Sequence, residues 1–290
     1  MPQDAPAASP QLHDTSEAFQ LVQDLASQLS TGELRLPSLP EVVIRIRKTL
    51  QNPEFDAEEL ARQLGSEPVL AGSVLKLANS VTYRRNAAET ASLTAAIARI
   101  GASMVRSASM NFAMQQLQAA KQFRHLEPLL KPEWRRSKLV AGLCHALARR
   151  TRRANPDELL MIGLVHNVGR IFILSHAEHY PITFSNPAVL EDLMSHWHPT
   201  IGGAIAESWG LPEAGMQAIA QQCTPDEQQD HRHPVTDLLQ IAVGLAGADA
   251  EDADALQALA ETPGSRRLGL DAAGLAETHR DGAAWVDLLS

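Results

Sequence analysis

The residues of this chain best equipped for chemistry are a histidine and its neighbour. Residues 163–170 read Gly163-Leu164-Val165-His166-Asn167-Val168-Gly169-Arg170. A histidine followed by an aspartate in so apolar a setting would give two ligands to a divalent cation that activates water. Asn167 keeps the shape of that aspartate and drops its charge, so one of the strongest ligands is missing. The pair points away from turnover and towards binding. Two hydrogen-bonded core side chains are the plainer expectation, because buried polar groups find partners. His176, His179, His196 and His198 have spacings that zinc could use. No HExxH or cysteine pair accompanies them, so no metal is expected there. His231 and His233 lie in a polar segment expected to face solvent, and Cys144 and Cys223 should behave as small buried hydrophobes.

Charge forms a second cluster. Between Lys131 and Arg153 stand eight bases against one acid, Glu133. Arg149, Arg150, Arg152 and Arg153 end a helix, where cations suit the negative end of its dipole. The sharper reading of these four is a docking patch for an acidic partner, or for nucleic acid along the basic helix 135–153. The acidic stretch 249–254 could fold back onto it. Residues 56–79 have the outline of a DNA-reading helix-turn-helix, but the second helix offers only Lys76 as a base. A recognition helix needs polar groups at base edges and cations at phosphates, so core packing is expected instead.

The whole chain limits these options. Its net charge of −9 argues against general nucleic-acid affinity, and 4% aromatic residues leave few stacking platforms. No apolar run approaches the roughly 20 residues that span a bilayer. The N-terminal stretch lacks the basic and apolar regions of a secretory signal. Two cysteines make no disulfide framework, so a reducing cytoplasm is the expected setting.

The elements that must position these residues read as helices almost throughout, rich in Ala, Leu, Gln, Glu and Arg with little β-branched alternation. The fold class is all-α. Residues 1–14 read as disordered. A helix over 15–30 has Phe19, Val22, Leu25, Ala26 and Leu29 on one face. Asp56 caps a helix over 56–64, with Glu59 completing a capping box. Ser66 caps the next, which has Pro68 early and runs to about Asn79. Ser92 starts another, which Gly101 stops, and a long helix spans 103–122. Pro128 and Pro132 mark a break between an N-terminal bundle (about 30–127) and a second bundle (about 128–247), opened by a helix over 133–153. Asn155-Pro156-Asp157-Glu158 starts the helix expected to carry His166 and Asn167. Residues 234–247 read as the last core helix, and 248–290 as an acidic, Ala-rich peripheral tail.

Several segments in order resemble the HDOD family, a divergent, non-catalytic relative of the HD metal-dependent phosphohydrolases. They are Leu36-Pro37-Ser38-Leu39-Pro40, Glu67-Pro68-Val69-Leu70, Val74 to Ser80, Tyr83, Ser92 to Gly101, Trp134, His166-Asn167, His198 to Gly202, and Ser208-Trp209-Gly210-Leu211-Pro212. The resemblance covers roughly 35–245. It implies an all-α bacterial signalling and regulatory protein whose second bundle is HD-like. It also places Arg136 near the first histidine of an active HD site, His166-Asn167 at the name-giving pair, Gln221 and Gln222 near the extra histidines of two-metal relatives, and Val243 near the last aspartate. A fixed cation such as Arg136 about 4 Å from a divalent ion costs about 8 kcal/mol even at an effective dielectric of 20. The expectation is a vestigial pocket of Arg136, His166, Asn167, His198, Gln222 and Val243 with no catalytic residue, no metal and no cofactor. A signalling protein is the expected partner, with an anionic small ligand on Arg136 as an open option. A residual phosphohydrolase and a nucleic-acid-associated regulator are the alternatives.

Overall fold

Proline, glycine and cap residues divide the chain into helices whose apolar faces share one core. The computed structural model describes residues 12–31, 39–224, 232–249 and 251–290, and every regular element among them is helical. In order these are α1 (Leu12–Thr31), α2 (Glu41–Thr49), α3 (Ala57–Gly65), α4 (Pro68–Ala78), α5 (Val81–Arg84), α6 (Leu93–Ala119) and a 3-10 turn (Lys121–Leu126). Then come α7 (Glu127–Thr151), α8 (Pro156–Val165), α9 (Val168–Leu174), α10 (Pro181–Ser185), α11 (Pro187–Ser208) and α12 (Glu213–Ala220). The chain ends with α13 (Pro234–Leu245), α14 (Ala253–Ala260), α15 (Pro263–Leu268) and α16 (Ala272–Leu288). Among the described residues no helix is long and apolar enough to cross a membrane.

Local signals place most boundaries. Asp56, Ser92 and Asn155 each accept a backbone N–H of their helix's first turn. Gly101 adopts φ 78° and breaks the run that α6 spans, which only a glycine does cheaply. Asn79 ends α4, and its amide clamps Thr90 in both directions, donating to the Thr90 carbonyl and accepting from its N–H, both at 2.9 Å. That clamp holds the loop between α5 and α6. The helix-turn-helix outline resolves into packing: Leu60, Leu64, Leu70, Val74 and Leu77 are buried. Lys76 donates to the Asp287 carbonyl at 2.9 Å instead of facing outward for DNA.

Several sequence expectations need correction. The segment 12–14, read as disordered, already belongs to α1, because no Pro or Gly stands between Gln11 and Thr31 to stop the helix; residues 1–11, Leu36-Pro37-Ser38 and His231 lie outside the described residues. On α1, Leu21 and Leu25 are buried while Phe19 is largely exposed. Glu59 bonds Arg62 and Gln63 one turn ahead, not back to its cap, and Ser66 closes α3 while Glu67 opens α4. The prolines at 128 and 132 do not break the chain. Pro128 sits in the first turn of α7, where its missing N–H costs least, and Pro132 is carried inside the helix. Cys144 is buried, and burial pushes its thiol up, but Cys223 is exposed.

The peripheral tail is the largest correction. Helix α16 lies along α7, with Leu275 and Trp285 buried. Gly142 and Gly282 make the contact possible: a Cβ on Gly142 would stand 2.2 Å from the Gly282 carbonyl oxygen. Composition hid this, since small residues read as weak core formers yet permit backbones to approach. One connected cluster of buried apolar residues runs from Leu21 to Leu289, with no gap between 30–127 and 128–247.

Candidate functional site

The helix expected to carry His166 and Asn167 is interrupted at that pair. His166 closes α8, and Asn167 opens α9 with φ −102° and ψ 15°. The kink turns the two side chains apart. His166 lines a cavity of about 910 Å³ whose walls also include Glu133, Arg136 and Leu139 from α7, Arg170 from α9, and Glu191 and His198 from α11. Gln222, Cys223, Val243 and Ala246 complete the lining. Five of the six pocket residues expected from sequence thus meet at one site. Asn167 is not among its lining. It is fully buried behind the wall, where Ser137 Oγ donates to its Oδ1 at 2.6 Å. Its Nδ2 donates to the Glu133 carbonyl at 2.9 Å and to Glu133 Oε2 at 3.0 Å. The correction follows from the amide: it needs acceptors, and α7 offers two on one residue.

Sequence reasoning missed Glu133, Arg170 and Glu191. Arg170 Nε bonds Glu133 Oε1 at 3.0 Å, and its Nη2 reaches Glu191 Oε2 at 3.3 Å. Spacing held a usable signal, because Arg170 follows His166 by one helical turn, as Arg136 follows Glu133. Arg136 is differently placed. Among the described residues its one hydrogen bond runs from Nη2 to the Val243 carbonyl at 3.2 Å, which leaves most of its donors for whatever enters the cavity.

Both cavity histidines are held neutral. Burial, with help from Arg136 and Arg170, pushes His166 down to about 4, against the hydrogen bond of its Nδ1 with the Gly163 carbonyl at 2.7 Å. Burial and then Arg170 and His166 push His198 down to about 3. The Cys223 sulfur stands 4.0 Å from His198 Nε2. Between α9 and α11 the backbones nearly touch: a Cβ on Gly169 would lie 2.1 Å from the His198 carbonyl oxygen, so this glycine fixes where His198 sits.

A stability consequence follows. As pH falls through 6.5 the unfolded chain protonates both histidines, while the folded chain does not until about 4 and about 3. Their contribution is therefore full above 6.5 and is lost as pH drops towards those values, at about 1.4 kcal/mol per pH unit for each histidine. Urea denaturation across that range should show the fall, and His198→Gln should remove one histidine's share. An unchanged slope in that variant would contradict the neutral, buried imidazole.

The donor set does not suit a divalent cation. Among the described residues no group of three or more His, Cys, Asp or Glu stands where it could hold a metal ion. Asn167 faces away from the cavity, the Glu133 and Glu191 carboxylates are engaged by Arg170, and Arg136 adds a fixed positive charge. The other histidines do not converge either. His176 bonds Gln28 and the Phe172 carbonyl, and His196 is exposed and bonds the Asp192 carbonyl. His233 is exposed as expected and caps α13, its Nδ1 accepting from the Val235 N–H at 3.2 Å. In the basic patch, Arg150 pairs with Glu277 of α16, while Arg149, Arg152 and Arg153 are exposed. The acid that meets the patch comes from α16 and not from 249–254, whose Asp249 and Asp252 instead accept backbone N–H groups of their own turns.

Comparison with known proteins places this geometry among relatives. The HDOD domain matches residues 36–225. A Treponema pallidum (strain Nichols) protein described as uncharacterized is 23% identical over 205 residues, 67% of this chain; the chain spans only 39% of that relative's length. A crystal structure of a Shewanella amazonensis SB2B protein, provisionally named a metal-dependent phosphohydrolase, superposes with a TM-score of 0.73 at 25% identity, covering 93% of this chain and 99% of that one. An HDOD domain protein of unknown function from Geobacter sulfurreducens gives 0.65 at 24% identity, covering 95% and 99%. A Marinobacter aquaeolei VT8 protein provisionally named for signal transduction gives 0.61 at 22%, covering 97% and 66%.

Proposed function

Because this chain belongs to the HDOD family, we propose that it is a regulatory, signal-transducing module that works by binding and not by turnover, with the cavity beside Arg136 as its ligand site. One observation carries the reading: a guanidinium with most of its donors unengaged stands in the wall of a large cavity, where HD-type hydrolysis would need a metal. Guanidinium forks bind carboxylate and phosphate groups with paired hydrogen bonds. The ligand is then an anion, and its arrival recruits the module's protein partner. The name of the Marinobacter relative is in keeping with a signalling role. The exposed Arg149, Arg152 and Arg153 give that partner a basic surface to recognise.

The name of the Shewanella relative favours the competing reading, a metal-dependent phosphohydrolase, and elemental analysis separates the two. Protein purified without added metal should contain well under one equivalent of iron, manganese or zinc; a stoichiometric metal would overturn binding without turnover. For the ligand site, calorimetry with millimolar inorganic phosphate should give saturable binding that Arg136→Ala weakens about tenfold or more, the loss of a charge-assisted hydrogen bond. Absence of saturable binding to the wild-type protein would remove the anion site.

A further inference from the structure

The lining of this cavity holds unengaged hydrogen-bond acceptors as well as the Arg136 donors, and the hydrogen bonds of the lining residues show which atoms they are. Gln222 donates from its single amide nitrogen to two carbonyl oxygens, His166 at 2.8 Å and Ile219 at 2.9 Å. Both partners are acceptors, so the orientation of the amide is fixed and its Oε1 is left without a partner among the described residues. The His166 ring is fixed in the same way. Its Nδ1 faces the Gly163 carbonyl oxygen at 2.7 Å, so Nδ1 carries the proton, and in the neutral ring Nε2 has only a lone pair to offer. Nε2 lies on the side of the ring away from that carbonyl and has no hydrogen-bond partner among the described residues. His166 is 2% exposed and Gln222 6%, and both line the cavity. Two buried acceptors thus share the cavity with a guanidinium donor.

We infer that the ligand of this cavity is an anion that also bears hydroxyl or N–H groups, its acidic end on Arg136 and its hydrogen-bond donors on His166 Nε2 and Gln222 Oε1. This rests on the anion reading of Arg136 and narrows it. A plain anion would leave the two acceptors unpaired once water is displaced, whereas a donor-bearing one satisfies them and the guanidinium together. The volume, about 910 Å³, has room for an organic body beyond the acidic group, and Leu139, Val243 and Ala246 give it an apolar wall.

Three probes of similar size test this on the whole chain: glycerol 3-phosphate, with hydroxyl donors; 2-aminoethyl phosphate, with N–H donors; and propyl phosphate, with neither. Calorimetry or ligand-observed NMR at millimolar concentration should find at least one donor-bearing probe bound about tenfold or more tightly than propyl phosphate. The tighter of the two identifies the kind of donor. His166→Phe and Gln222→Met should each shrink that preference, and the wild-type comparison stands even if either variant fails to fold. Equal affinity for all three probes would overturn the inference and leave the anion site standing. No binding of any probe, together with none of inorganic phosphate, would overturn the anion site itself.

Discussion

Gly142→Val should lift α16 off α7 and destabilise the protein by about 3 kcal/mol or more, the upper end of what overpacking costs. The first side-chain atom added at Gly142 would stand 2.2 Å from the Gly282 carbonyl oxygen and 2.7 Å from the Cβ of Trp285. Backbone cannot move aside as a flexible side-chain end can, so the helices must separate. Separation uncovers Trp285, which packs at 4.3 Å centroid distance against the buried His145 and edge-on to Tyr83. Tyr83 in turn donates to Asp157 in the first turn of α8 at 2.5 Å, so the disturbance reaches the helix that ends in His166. Urea denaturation followed by tryptophan fluorescence should show the loss, and limited trypsin digestion should open sites around Arg280. Wild-type stability would mean that α16 does not pack on α7 as described.

Asn167→Asp should be strongly destabilising at neutral pH and should still not bring in a metal. The amide that now bridges to Glu133 Oε2 at 3.0 Å would become a carboxyl facing a carboxylate. Two unit charges at that separation repel by about 5 kcal/mol at an effective dielectric of 20. The folded chain can escape part of this by keeping the new carboxyl protonated, which raises its pKa above the ordinary aspartate value of about 3.9. The sign is then fixed. The variant's deficit is smallest below that ordinary value and widens as pH rises, until the group ionises in the folded state as well. Denaturation of variant and wild type from acid to neutral pH should trace the widening gap; a constant gap would show that the side chain does not face Glu133. Metal content should stay below one equivalent, because the new carboxylate would lie behind the cavity wall and Arg136 would remain in it.

These two residues mark the border between what is local and what is not. Asp56, Ser92, Asn155 and Gly101 act on backbone groups within a few residues, so their helix ends could be read directly from the chain. The order of motifs from Leu36 to Pro212 was enough to place the chain in its family, and alignment by resemblance brought Arg136, His166, His198, Gln222 and Val243 to one cavity. Pro132 showed the limit of local rules: a residue that breaks isolated helices is carried inside α7, whose neighbours α8, α13 and α16 pack along it. Tertiary structure alone decided which way the His166-Asn167 pair divides. The kink between α8 and α9 gives the histidine to the cavity and the amide to Glu133, 34 residues away in the chain. It alone assigned Glu133 and Glu191 to Arg170 and left Arg136 with donors to spare, and it alone made core out of α16. The physical reason is common to all three. Caps and turns are satisfied by neighbours in sequence, whereas the partner of a buried charge, an amide or a glycine face is whichever element packing brings within a few ångströms, and composition does not encode that distance.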